Sequence, residues 1–110
     1  MLGRQKKTFI GYGYGLGNQV KIKKVTLRDS DRKGHLFCFG STRIGKTRLI
    51  ELMIEQDIRK GYSVAFFDPK GDIDIFSKIV QIAYEEGRQH ELCLVTPIFP
   101  NCSARMDPLA

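Results

Sequence analysis

The chain has 110 residues, of which 42% are hydrophobic and 27% are charged, and its formal net charge is +6. This length suits one small domain with one core, and the composition excludes a disordered or fibrous chain. No apolar run approaches the roughly 20 residues of a membrane-spanning helix, and no signal peptide is recognisable, so we expect no membrane segment within this chain.

Positive charge is concentrated in the first part of the sequence. Residues 1–46 contain eleven Lys and Arg against two Asp, which gives +9, whereas residues 47–110 contain seven Lys and Arg against ten Asp and Glu, which gives −3. A basic segment suits a polyanion such as a nucleotide or DNA. A solubilising surface is the competing interpretation, and the charge alone leaves both open.

The first predicted element is a β-hairpin in a basic N-terminal segment, residues 1–34. Its first strand begins at Thr8–Gly11, after which tyrosines alternate with glycines. Gln19–Leu27 alternates with a period of two but slips between Ile22 and Val25, which predicts a bulge there. The lysines of this strand would protect a sheet edge from aggregation. A flexible loop over a ligand is the alternative for the glycine-rich stretch.

Residues 35–110 predict a second region with β-α-β-α-β order. Three apolar runs are typical of buried parallel strands, namely His35–Phe39, Tyr62–Asp68 and Leu92–Val95. Two helices are expected between them, Lys46–Lys60 and Ile75–Glu86, closed by Gly61 and Gly87 and with Asp72 or Asp74 capping the second. This order predicts a parallel, right-handed α/β sheet. Cys38 and Cys93 lie in the strand patterns, so we expect reduced core cysteines and no metal site.

A phosphate-binding motif lies between the first of these strands and its helix. Gly40–Thr47 fits the Walker A pattern Gly-x-x-x-x-Gly-Lys-Thr, whose glycines let the loop amides converge on an anion at the helix N-terminus. Lys46 would reach the β- and γ-phosphates of ATP, and the Thr47 hydroxyl would bind Mg²⁺. The predicted nucleotide-binding residues are Gly40, Ser41, Thr42, Arg43, Ile44, Gly45, Lys46, Thr47 and Arg48.

A second candidate site residue, Asp68, ends an apolar run in the way that the Mg²⁺-holding acid of P-loop enzymes does. If its strand lies beside the strand that precedes Gly40, Asp68 reaches the metal itself. If another strand is inserted between them, Asp68 lies one strand away and orients water. Lys46 and Asp68 are the predicted catalytic residues, and Thr47 and Asp68 the predicted metal ligands.

These motifs together resemble the conjugative coupling ATPases of type IV secretion, the TraD/TraG group of the FtsK–HerA superfamily. The pieces that carry the resemblance span nearly the whole chain: Ile10–Gly13, His35–Leu36, Thr42–Leu49, Asp68–Asp72, Pro97–Pro100 and Arg105–Leu109. The phosphate loop followed by Asp68–Pro69–Lys70–Gly71–Asp72 at this separation is the most specific of them.

The resemblance implies a partial P-loop NTPase of RecA-like fold, with an N-terminal β-hairpin. In that family the full-length protein forms a ring, usually a homo-hexamer, at the cytoplasmic face of the bacterial inner membrane. It uses ATP to drive DNA with an attached relaxase toward secretion-channel proteins. A membrane anchor normally precedes the ATPase domain. By the same resemblance, Lys46 and Thr47 take the phosphate and Mg²⁺ roles, and Asp68 is a supporting acid.

The sequence departs from that family in two respects. No apolar strand ends in Asp-Glu, since Leu92–Val95 is followed by Thr96 and Pro97, and no arginine finger can be assigned among Arg43, Arg48 and Arg105. We therefore expect the N-terminal part of a longer ATPase, which binds ATP without efficient turnover and binds DNA weakly by itself. The alternatives are a small P-loop kinase and a non-catalytic module that binds phosphate or nucleic acid.

Overall fold

The computed structural model describes residues 6–17, 21–41, 45–96, 100–101 and 103–104. In chain order its elements are β1 (Lys7–Tyr14), β2 (Ile22–Arg28), a 3-10 turn (Asp29–Lys33), α1 (Lys46–Arg59), α2 (Ile73–Glu85) and a second 3-10 turn (Gln89–Glu91). The chain divides into two compact units, Met1–Tyr62 and Ser63–Ala110, and each is described by itself. Neither described helix combines the length and apolar character needed to cross a membrane.

The predicted hairpin is confirmed, but its bulge lies on the other strand. β1 pairs antiparallel with β2, and the register shifts between Phe9 and Gly11, so that Ile10 is the extra residue. The predicted bulge between Ile22 and Val25 was therefore wrong. Gly11 has φ +151°, a backbone conformation that side chains with a Cβ rarely adopt. The irregularity thus falls where a glycine can accommodate it.

Both predicted helices are present with nearly the predicted bounds. In α1 the apolar stripe buries Ile54 and Ile58, and Gly61 follows the helix with φ +85°. The second helix, α2, begins two residues earlier than predicted, and of the two candidate caps it is Asp72 whose side chain accepts a hydrogen bond from the Asp74 amide (2.9 Å). Local signals for caps and periodicity therefore located both helices.

A network of polar side chains joins the hairpin to α1. The Thr8 cluster, as we name it, consists of Thr8, Asp29, Arg32, Asp57, Lys60 and Tyr62. Thr8 is fully buried, and its hydroxyl donates to Asp29 (2.7 Å) while accepting from Arg32 (2.8 Å) and Lys60 (3.1 Å). Arg32 also makes a two-pronged ion pair with Asp57, at 2.6 and 2.7 Å. Two cations and two carboxylates thus meet in one partly buried network, with hydrogen bonds between them.

Asp29 is the centre of this network. Besides Thr8, its carboxylate accepts hydrogen bonds from Lys60 (3.0 and 3.1 Å) and from the Tyr62 hydroxyl (2.8 Å). Burial by itself raises the pKa of Asp29, but hydrogen bonds from Thr8, Lys60 and Tyr62 outweigh burial and lower the pKa to about 2. The carboxyl group therefore stays ionised throughout the physiological range, and its negative charge is compensated within the fold.

A side-chain amide completes the attachment of β1 to α1. The amide of Phe9 donates to Gln56 Oε1, and Gln56 Nε2 donates to the Phe9 carbonyl, each at 2.7 Å. Gln56 therefore pairs with the edge of β1 much as a neighbouring strand would. This pair of hydrogen bonds, which we call the Gln56 clamp, satisfies both main-chain polar groups of Phe9 next to the bulge. It also fixes the hairpin against the middle of α1.

The three runs predicted as parallel strands do not form strands here. Within the described residues the sheet comprises β1 and β2 alone. Large apolar side chains in these runs are exposed, among them Phe37, Phe39 and Phe67. A strand buried on both faces needs neighbouring strands for its hydrogen bonds and packed helices to cover its apolar side chains. A run without such neighbours does not form a strand. The parallel sheet stays a prediction, whereas the expectation that Cys38 and Cys93 are core residues was wrong, since both are exposed.

Candidate phosphate-binding site

The predicted phosphate loop leads directly into α1. Gly45 precedes the helix as its N-cap with φ +97° and ψ 9°, and its carbonyl accepts the first helical hydrogen bond from Leu49 (3.0 Å). Gly40 and Ser41 are exposed, whereas Thr42, Arg43 and Ile44 lie outside the described residues. The left-handed conformation at Gly45 matches the reason for a glycine at this point of the motif.

The N-terminus of α1 is electrostatically suited to an anion. Among the described residues no side chain caps it, since the N-cap is Gly45, and its first turn contains no acidic residue. The first amides of a helix lack intrahelical acceptors, and the helix dipole places partial positive charge there. An anion could therefore accept these hydrogen bonds without competing against a capping side chain.

Lys46 connects the two ends of the loop. Its ammonium group donates a hydrogen bond to the carbonyl oxygen of Gly40, six residues earlier. The side chain is thus directed back toward Gly40, and the residue is half-buried. Thr47 is exposed, and Arg48 extends away toward Glu51, with 3.5 Å between its Nη1 and the carboxylate. The structure therefore holds the Lys46 ammonium at the carbonyl of Gly40 and directs Arg48 toward Glu51, and the nucleotide-binding roles of both residues stay predictions.

Asp68 organises the turn that follows its own run. Its two carboxylate oxygens accept hydrogen bonds from the amides of Asp72 (2.7 Å) and Lys70 (3.0 Å), and its carbonyl accepts from Gly71 (3.3 Å). The Asp72 and Lys70 amides lower the pKa of the Asp68 carboxyl. An ionised, oriented carboxylate results, which is compatible with either predicted metal role. Both roles stay predictions.

Magnesium and ATP are compatible with the residues present. No group of three or more His, Cys, Asp or Glu that could hold a metal is found in the described part of the chain. Such a cluster is not required, because Mg²⁺ beside a nucleotide is held by one or two protein groups, phosphate oxygens and water. Thr47 would be the protein ligand at the loop. The donor set that fits the phosphates is the α1 N-terminus together with the Lys46 ammonium.

Sequence reasoning missed the Thr8 cluster and the Gln56 clamp. Hydrophobic periodicity cannot identify a buried polar network, because its members come from separate segments of the chain. One signal was available: Gln56, Asp57 and Lys60 form a polar stripe at helical spacing directly beside the apolar stripe of α1. Polar residues in such a position contact either solvent or polar groups of a neighbouring element.

Comparison with the curated sequences finds a match to a coupling protein. The type 4 coupling protein DotL of Legionella pneumophila is 28% identical to this chain over 80 residues. The chain is similar to a type IV coupling protein. The match covers 72% of this chain and 10% of DotL, so the chain spans about a tenth of the length of that relative. No protein-family model matches the chain, and no solved structure matches it significantly. The likeness supports the coupling-protein resemblance in its coarse form.

Proposed function

We propose that this chain is the nucleotide-binding part of a type IV coupling ATPase, in which Gly40–Thr47 holds the triphosphate of ATP. The observation that carries the proposal is the hydrogen bond from the Lys46 ammonium to the Gly40 carbonyl, at the N-terminus of a helix whose N-cap is a left-handed Gly45. The similarity to DotL supports the choice of coupling proteins among P-loop enzymes. In the full-length protein we expect a ring that moves DNA and relaxase toward a secretion channel at the inner membrane.

The residues at the loop have distinct roles in this proposal. The first amides of α1 donate to phosphate oxygens, and Lys46 exchanges the Gly40 carbonyl for a β- or γ-phosphate oxygen. Thr47 contributes its hydroxyl to Mg²⁺, which neutralises phosphate charge when bound. Asp68 supports the metal or its water. Efficient hydrolysis would require a group that activates water, and we assign none in this chain.

Titration with a fluorescent ATP analogue tests the proposal. Lys46→Ala removes the charged partner of the terminal phosphates, so affinity should fall by about 10-fold to 100-fold. Lys33→Ala is the matched control, because it removes the same charge from an exposed position in the 3-10 turn. Equal affinities of the Lys46→Ala and Lys33→Ala variants would refute the assignment of the site.

Two further measurements separate the alternatives. Transfer of phosphate from ATP to a nucleoside monophosphate would identify a small kinase, and we expect none. Nucleic-acid binding without any ATP binding would instead identify a non-catalytic module. Slow or undetectable hydrolysis beside measurable ATP binding is the result expected for the coupling-protein proposal.

A further inference from the structure

The exposed side of the β1–β2 hairpin carries an unusual combination of side chains. Register pairs Phe9 with Thr26, Tyr12 with Lys24 and Tyr14 with Ile22. Side chains two apart on a strand share a face, so Tyr12, Tyr14, Lys24 and Ile22 lie together. We call this set the aromatic–lysine face; its six members are Phe9, Tyr12, Tyr14, Ile22, Lys24 and Thr26. Tyr12 and Tyr14 are 72% and 65% exposed.

The bulge is what brings Phe9 onto this face. Phe9 and Tyr12 are three residues apart, so a regular strand would point them to opposite sides. Because Ile10 is an extra residue in β1, the side chains of Phe9 and Tyr12 lie on the same side of the hairpin. Their rings meet edge to face, with 5.3 Å between centroids. The Lys24 ammonium lies 5.0 Å from the centroid of the Phe9 ring. Aromatic and cationic groups are therefore interleaved on one surface.

The charge of the hairpin has one sign. Residues 6–28 contain five lysines and one arginine and neither Asp nor Glu. A partner of complementary charge would therefore be a polyanion. The exposed tyrosine rings would suit a polyanion that also offers flat apolar surfaces, which is what the bases of a nucleic acid provide.

We propose that the aromatic–lysine face binds single-stranded nucleic acid. The two tyrosines lie about 7 Å apart along β1, so each can stack on a different base of an extended strand. Lys24 would contact a phosphate between them. An anionic membrane fits less well, because insertion of the rings would carry the Lys24 ammonium into the apolar layer. This inference concerns the hairpin and does not depend on ATP binding at Gly40–Thr47.

Fluorescence anisotropy with labelled oligothymidylate, using the full chain, tests the proposal. Stacking predicts that Tyr12→Ala and Tyr14→Ala each weaken binding by about fivefold to 100-fold, while Tyr12→Phe retains affinity. Tyr84→Ala is the matched control, since Tyr84 is an exposed tyrosine of α2. Lys24→Gln should reduce the slope of log affinity against log salt by about 0.7. Lys46→Ala should weaken ATP binding yet keep oligothymidylate binding through stacking.

Three results would overturn the proposal. The first is undiminished affinity of the double variant Tyr12→Ala/Tyr14→Ala, whose exposed positions should leave the fold intact by circular dichroism. The second is equal binding of poly-glutamate, which offers charge without bases. The third is stronger binding to phosphatidylglycerol vesicles than to oligothymidylate, which would identify a membrane surface instead.

Discussion

Replacing Asp29 by asparagine should destabilise the chain in a pH-dependent way. The Asp29 side chain is 14% exposed and forms an ion pair with Lys60. It also accepts hydrogen bonds from the hydroxyl groups of Thr8 and Tyr62. Its pKa is lowered from 3.8 to about 2, because these hydrogen bonds outweigh burial. At about 1.4 kcal/mol per pKa unit this corresponds to at most about 2.5 kcal/mol, and to about 1–2 kcal/mol after screening by water. The substituted amide would retain an acceptor but no charge.

The lowered pKa determines how this contribution varies with pH. A lowered native pKa stabilises the fold above the pKa of the unfolded carboxyl, near 4, and this contribution is lost as the pH falls toward 2. Urea unfolding of both proteins from pH 7 to pH 2 measures it. The wild type should be more stable by about 1–2 kcal/mol above pH 5, and the difference should shrink at lower pH.

A matched control lies two residues away. Asp31 pairs with Arg28 in the same turn, but its side chain is 48% exposed, so Asp31→Asn should cost no more than about 1 kcal/mol. Equal costs for Asp29→Asn and Asp31→Asn would refute the reasoning. So would a difference between wild type and Asp29→Asn that stays constant down to pH 2.

Two further predictions concern how the elements are fixed. Gln56→Ala leaves both main-chain groups of Phe9 without their partner, so the free energy of unfolding should fall by about 1–3 kcal/mol; urea unfolding checks this, and an unchanged midpoint would contradict the clamp. Asp72→Ala removes the side-chain cap of α2, at a cost of about 1 kcal/mol, whereas Asp72→Asn should retain most of the stability. Thermal unfolding followed by circular dichroism distinguishes these two variants, and identical melting curves would contradict the role of the cap.

The parts of the fold that could be predicted from sequence are those whose causes are local. Helix α1 follows from its apolar stripe and from glycines at both ends, and α2 follows from Asp72 and Gly87. The hairpin follows from alternation and turn residues. The slip in the alternation of β2 indicates a bulge on the wrong strand, because Gly11 in β1 provides the conformation that the bulge requires.

The parts that could not be predicted depend on distant residues. In the sequence, Thr8 is an ordinary residue of a predicted strand. Only the fold brings Asp29, Arg32 and Lys60 within hydrogen-bonding distance of its hydroxyl. At the predicted phosphate loop, the motif accounts for the left-handed conformation of Gly45, because the position of that glycine follows from spacing along the chain. The hydrogen bond from Lys46 to Gly40 could not be derived from spacing, although it is the contact that orients the lysine.

The carboxylate of Asp68 shows why a structural and a functional interpretation need not exclude each other. Its hydrogen bonds to two amides keep the group ionised and fix its direction at the end of an apolar run. Each carboxylate oxygen can accept more than one hydrogen bond or metal contact, so capacity remains after the turn is satisfied. A carboxylate that must hold a cation or a water molecule benefits from being oriented beforehand, because the entropy cost of orienting it has already been met during folding. The turn at Asp68–Asp72 is therefore the arrangement that a metal-supporting acid would need, and it is also sufficient reason for the aspartate when no nucleotide is bound.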